Sequence, residues 1–125
     1  MGGARGEYRG IPVSSEAREL VVRTRSAESA VILSATGEVD IVSAPKLSAA
    51  VDEALATDSA LLVVDLTEVG FFGSAGLSVL VGALEAISDR RLKVVASPQV
   101  RRPIEVTGLD DLLDVYDSLE EALAE

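Results

Sequence analysis

An uninterrupted apolar run, residues 60–64, stands between Ser59 and Asp65. It is far too short to cross a bilayer. A run of that length bounded by polar residues reads as a central strand buried on both faces. Downstream, Leu77, Leu80, Val81, Leu84 and Ile87 fall at i, i+3, i+4, i+7 and i+10, one face of a helix. Between strand and helix lies a hinge of small residues, Gly73-Ser74-Ala75-Gly76. This places Ser74 where a strand-side loop hands over to a helix N-terminus. Free backbone N–H groups and the helix dipole favour negative charge there, such as a phosphate. From the residues alone Ser74 is open to two readings, a plain N-cap or a hydroxyl that works as a phosphorylatable switch.

Composition narrows the chemistry. A chain of 125 residues suits one domain, and 48% apolar content can fill a core. Aromatics make up only 3% and Trp is absent, so a base- or sugar-stacking surface is not expected. A net charge of -10 argues against nucleic acid and anionic membranes and for a partner with a basic patch. Without Cys there is no disulfide, thiol catalysis or thiolate metal site. Without His the usual general base, the commonest zinc ligand and any Ser-His-Asp relay are missing. The N-terminal residues carry no apolar signal-like segment, and no membrane-length apolar span follows. The expectation is a cytoplasmic, non-enzymatic domain that needs no cofactor.

Residues 1–16, Gly- and Arg-rich, read as a flexible arm, and residues 17–125 as the domain. Short β-type runs at 20–24 and 30–35 suggest a hairpin. Gly37-Glu38-Val39-Asp40 ends the second strand, and Ser43 with Pro45 opens a helix. Leu47, Ala50, Val51, Ala54 and Leu55 give that helix its apolar stripe. It should stop near residues 57–58, before the strand at 60–65, which makes a parallel βαβ unit. Beyond the central helix, a polar turn at 88–91 precedes a strand at 92–96. Ser97-Pro98 opens a third helix reaching about residue 107, with Gly108 as its left-handed terminator. Pro103 should leave that helix short, kinked or partly 3-10. A last strand at 112–116 leads to Asp117-x-x-Glu120, the form of a capping box opening a terminal helix through Ala124. The sum is an α/β domain: a mostly parallel sheet of about five strands with one antiparallel edge strand, and about four helices.

Serine catalysis fits poorly. A nucleophile elbow of Gly-x-Ser-x-Gly form needs glycine where Phe72 stands. Lys46 and Lys93, the only lysines, fall in another helix's first turn and in a strand. Gly73-x-x-Gly76 is too common a spacing to imply a nucleotide, and no phosphate-binding loop signature is present. Phe71 and Phe72 are neighbours, so one should enter the core while the other stays exposed to a partner. In a sequential parallel sheet the Gly37–Asp40 loop and the Ser74 loop leave the same strand ends. Asp40 is therefore either a cap for the first helix or part of one recognition surface with Ser74.

Five pieces, Gly37-Glu38-Val39-Asp40, Ala44-Pro45, Val64-Asp65-Leu66, Phe72-Gly73-Ser74-Ala75-Gly76-Leu77 and Val106-Thr107-Gly108-Leu109, occur in an order and spacing that resemble the STAS domains of anti-sigma factor antagonists. The likeness runs from about residue 20 to the C-terminus. It implies a binding module, not an enzyme. The unphosphorylated antagonist would bind an anti-sigma factor that is also a serine kinase, freeing a sigma factor and so regulating transcription in a stress response. Phosphorylation would release it, and a serine phosphatase would restore it. By the same resemblance Ser74 is the phosphoacceptor, and Gly37, Glu38, Asp40, Ser43, Phe72, Gly73, Ala75, Gly76 and Leu77 are partner-binding. A monomer or weak dimer is expected. Two positions depart from the family pattern: Gly73 replaces the usual aspartate, and Ala75 stands where Ser or Thr is common. They keep a second reading in play, a non-switching STAS scaffold or small-ligand-binding domain.

Overall fold

A computed structural model describes residues 19–27 and 29–124 of the chain. The expected arm at 1–16 lies outside the described residues, as does Glu28 in the first turn. Strands β1 (Val21–Ala27) and β2 (Ala30–Val39) pair antiparallel across that turn. The connection is too short for a crossover, so antiparallel pairing is the only geometry available. Helix α1 (Ala44–Leu55) then returns the chain to β3 (Leu61–Phe72), α2 (Ser74–Ala86) to β4 (Arg91–Val95), and α3 (Pro98–Val106) with a 3-10 turn (Leu109–Asp111) to β5 (Asp114–Tyr116). A short helix α4 (Leu119–Ala124) closes the described chain. The sheet order is β1-β2-β3-β4-β5, parallel from β2 onward. The mixed five-stranded sheet and the four helices among the described residues are those expected from the sequence.

Most of the core lies between this sheet and the helices. Leu33, Val64 and Val94 meet Leu47 and Val51 of α1, Leu80 and Ala83 of α2, and Val100 and Ile104 of α3. A smaller cluster on the other face joins Ile32, Val63 and Val95 to Ala122 of α4. Lys93, also on that face, is 0% exposed. Its Nζ donates to the Ala122 carbonyl at 2.7 Å and lies 5.1 Å from the Tyr116 ring centroid, a cation–π contact. Arg90 closes a different helix end. Its guanidinium donates to the Thr57 and Leu55 carbonyls at 2.9 and 3.0 Å, satisfying acceptors that the end of α1 leaves open.

Four local features differ from the sequence expectation. β3 continues to Phe72 instead of stopping near Asp65, and β2 takes in Gly37, Glu38 and Val39, which were read as a strand end. The pairing of β2 with β3 slips by one residue between Ser34 and Thr36 and again between Gly37 and Glu38. Each slip is a bulge with the extra residue on β3, and each reverses which face the following side chains address. Leu62, Val64 and Leu66 are therefore buried, but so are Val69 and Phe72, a sequence no strict alternation produces. Backbone groups released at the bulges find side-chain partners. Asp65 Oδ1 accepts from the Thr67 N–H and hydroxyl at 3.1 and 2.7 Å, and Gln99 donates to the Val69 carbonyl at 3.2 Å.

Helix α2 keeps its expected face in Leu80 and the following Ile87, both buried, with Leu77 and Leu84 packed against the core. Gly76, Leu80 and Ala83 are the buried residues of the helix, while Val81 is turned outward. Helix α3 is nine residues long with Pro103 inside it, and its C-cap Thr107 is followed by a left-handed Gly108 (φ 79°), the terminator the sequence indicates. The last cap is shifted by one residue. Ser118, not Asp117, accepts the Glu121 N–H at 3.1 Å, and Asp117 pairs with Arg101 at 2.8 Å. A hydroxyl at the cap position leaves the preceding carboxylate free for that ion pair. The final strand covers only Asp114–Tyr116 because the Leu112 and Leu113 N–H groups bond back to the Leu109 carbonyl at 2.9 and 3.0 Å and so belong to the turn.

Candidate functional site

The site forms where β2 and β3 end side by side. The Gly73 N–H donates to the Val39 carbonyl at 3.1 Å, tying the two strand ends together. Gly73 itself is the N-cap of α2 in an extended conformation, so Ser74 is the first helical residue and not the cap. The Gly73 carbonyl accepts from the Gly76 and Leu77 N–H groups at 3.0 and 3.2 Å. The N–H groups of Ser74 and Ala75 precede the first intrahelical bond and point out of the helix end. Ser74 is exposed, and its hydroxyl takes no hydrogen bond among the described residues.

Two adjacent phenylalanines explain the two glycines. Phe72 enters the core, 6% exposed, and Phe71 stays at the surface, 53% exposed. A Cβ built on Gly76 would lie 2.7 Å from Phe72 Cε1, and one on Gly73 would lie 3.0 Å from Phe71 Cε2. Each glycine makes room for one ring. At position 73 the Phe71 ring takes the space into which a side chain would grow. No acidic residue occurs in the first turn of α2.

Across from Ser74 the turn from Asp40 to Ser43 opens α1. Asp40 Oδ1 accepts from the Val42 and Ser43 N–H groups at 3.0 and 2.9 Å. In return the Asp40 N–H donates to Ser43 Oγ at 2.9 Å, and that hydroxyl donates to the Glu38 carbonyl at 2.8 Å. Ser43 occupies the N-cap position as expected but makes no side-chain cap bond, because its hydroxyl is used within this turn. Hydrogen bonding, led by the Ser43 N–H, holds the Asp40 carboxyl below its ordinary value of 3.8 against the opposing effect of desolvation. The same turn presents Ile41 and Val42 to solvent, both more than four-fifths exposed.

Between the α1 turn and α2 lies a groove of about 770 Å³ whose walls include Asp40, Ile41, Phe71, Ser74, Ser78 and Val79. Among the described residues Asp40 is the only charged side chain in those walls. Thus the structure brings Asp40, Gly73, Ser74 and Ala75 together in one groove. Ser43 and Glu38 hold its rim from behind, and Phe72, Gly76 and a buried Gly37 (φ 111°) lie beneath it. Leu77 lies on the opposite side of α2. Sequence reasoning missed Ile41, Val42, Ser48 and Ser78. An apolar pair directly after a turn-forming aspartate was the available signal for the first two. Among the described residues no cluster of His, Cys, Asp or Glu could hold a metal ion, and no helix is long and apolar enough to cross a membrane.

The sheet order, the bulged β3 and the serine at its junction with α2 define a STAS domain. The family model for that domain matches residues 21–122, and the chain belongs to the STAS family. Its relatives include the anti-sigma-F factor antagonist RsfB of Mycobacterium tuberculosis, 39% identical over 94 residues that cover 74% of this chain and 77% of the relative. The anti-sigma-B factor antagonist of Listeria monocytogenes is 35% identical over 82 residues, 63% of this chain and 72% of the relative. Among solved structures, an anti-sigma factor antagonist from Mycobacterium paratuberculosis superposes with a TM-score of 0.81 at 36% identity, covering 84% of this chain and 92% of that one.

Proposed function

We propose that this chain is an anti-sigma factor antagonist switched at Ser74. With Ser74 unmodified, the groove face docks an anti-sigma factor that is also a serine kinase and frees the sigma factor it holds. Transfer of the ATP γ-phosphoryl group to Ser74 Oγ ends the complex, and a serine phosphatase restores the free hydroxyl. The domain acts by binding and performs no catalysis itself. The observation that carries this reading is the Ser74 hydroxyl, exposed and unbonded on the first residue of α2 at the edge of the groove. The names of the relatives support the antagonist role.

The physics of release is local. Phosphorylation adds about -1.5 to -2 charges at neutral pH. At the start of α2 the dianion faces the open N–H groups of the first turn, so the modified state is held without refolding. On the outer side it joins Asp40 in a chain whose net charge is already -10. An acidic or apolar contact on the partner would then be repelled or left with a buried, unpaired charge. Glycine at 73 means that this dianion arrives with no carboxylate adjacent in the chain.

Incubation with candidate kinase/anti-sigma proteins and ATP, followed by peptide mass spectrometry, tests the reading. A single phosphate on Ser74 is expected, absent from Ser74→Ala; modification elsewhere only, or none with any candidate, contradicts it. The groove volume falls in the range of small-molecule sites and favours a second reading, a non-switching scaffold or ligand-binding STAS domain. That reading predicts that Ser74→Glu binds its partner as tightly as the wild type.

A further inference from the structure

The segment Val106-Thr107-Gly108-Leu109 has no part in the Ser74 face. It borders a second groove of about 410 Å³, walled by Leu77, Val81, Gly82 and Glu85 of α2 and by Thr107 and Leu109 across from them. Apolar surface continues around it, with Val106 77% and Leu112 64% exposed. Gly82 lies in the middle of α2, where glycine is less favourable than alanine. A Cβ placed there would meet nothing within 4 Å, so no packing within the described chain requires the glycine. What it leaves is a notch into which another backbone can come close. Among the described residues Glu85 is the only charged residue in the walls; Asp110 and Asp111 follow Leu109 in the chain, and Arg102 stands one helical turn before Val106. None of the three acids is in an ion pair among the described residues, whereas the nearby Arg101 is committed to Asp117 and Glu105.

We infer that this groove seats a basic amphipathic helix of the partner protein. The helix lays its apolar stripe on Leu77, Val81 and Leu109, comes closest at Gly82, and turns its Lys or Arg side chains toward Glu85, Asp110 and Asp111. A second copy of this chain would set acid against acid. Ser78 lines both grooves, so a partner docked at the Ser74 face reaches this one across a single helix. In assigning the groove to that same partner, the inference rests on the proposed antagonist reading.

The test has two arms. In the first, the isotope-labelled full chain is titrated by NMR with a synthetic Lys/Leu peptide whose leucines follow the i, i+3, i+4, i+7 spacing. A scrambled peptide and a Glu-for-Lys peptide serve as controls. Shifts are expected at residues 77–85 and 106–110 for the basic amphipathic peptide alone. Gly82→Leu, which fills the notch, and Glu85→Lys should each weaken it by about tenfold. Val106→Lys, a surface change that sets a like charge against the peptide, should also weaken it and covers the case in which Gly82→Leu fails to fold. Shifts confined elsewhere, equal binding by either control, or variants that bind like the wild type overturn the assignment. In the second arm, the same variants should weaken the unphosphorylated complex with the anti-sigma kinase by about tenfold, while Ser74 phosphorylation still releases what remains. A complex that ignores these variants overturns the inference. A complex that ignores the state of Ser74 overturns the antagonist switch, and the peptide arm still judges the groove.

Discussion

Gly73 and Gly76 look equivalent in the sequence and are not. Both lie against a phenylalanine ring, but Phe72 is locked in the core while Phe71 has solvent to move into. Gly76→Ala should therefore destabilise the fold by about 1–3 kcal/mol, as overpacking does. Gly73→Ala should stay within about 0.5 kcal/mol, as surface changes do. Urea unfolding of the two variants gives the comparison, and equal losses would contradict the account of the two rings. Asp40 makes a separate prediction. Its carboxyl is held below 3.8 by the turn that opens α1. A lowered folded-state value means the ionised form is the one the fold stabilises. The contribution is full above the unfolded value and disappears as pH falls through the folded one. Asp40→Asn keeps an oxygen for the Val42 and Ser43 N–H groups but removes the titration. Acid unfolding followed by circular dichroism should lose stability between those two values less steeply in that variant than in the wild type.

At the scale of elements, the pattern of strands and helices was legible because each long segment carries one clear period. The 3.6-residue stripe of α1 buries Leu47, Val51 and Ala54 as read, and Gly108 ends α3 in the left-handed region as read. What failed were features set by a neighbour. β3 seemed to end at Asp65 because its apolar run stops there, yet the strand continues through two bulges against β2, which no single strand reveals. The stripe read for α2 holds at Leu80 and Ile87 and fails at Val81, and it overlooked Gly76 and Ala83, which are buried because close packing on the sheet and Phe72 favours small side chains there. The Ser74 junction was legible because small residues between two apolar patterns have few other meanings; the roles of Ile41 and Phe71 needed the groove itself. Lys93 belongs with the features that the strand hid. In Lys93→Met the buried stem keeps much of its packing, but the Ala122 carbonyl loses its Nζ donor. The expected cost is about 1–3 kcal/mol, with faster amide exchange in α4 than in α1. Unchanged exchange in α4 would show that this bond does not pin the helix.

Across the whole molecule, the sheet separates a large helical core from the smaller cluster under α4, and the Ser74 groove lies where two parallel strands finish. Nothing in that arrangement needs to unfold for the surface to change character. One phosphoryl group at the start of α2 turns a partly apolar face whose walls carry a single carboxylate, Asp40, into a strongly anionic one, on a chain already at -10. Partner exchange then follows from charge alone, since like charges brought together at an interface cost several kcal/mol. The direct test is the affinity of the anti-sigma kinase for this chain before and after stoichiometric phosphorylation at Ser74, measured by calorimetry with a non-hydrolysable nucleotide in the kinase site. The account predicts a loss of about tenfold or more, while circular dichroism shows the fold unchanged. Equal affinity for the two forms would contradict it.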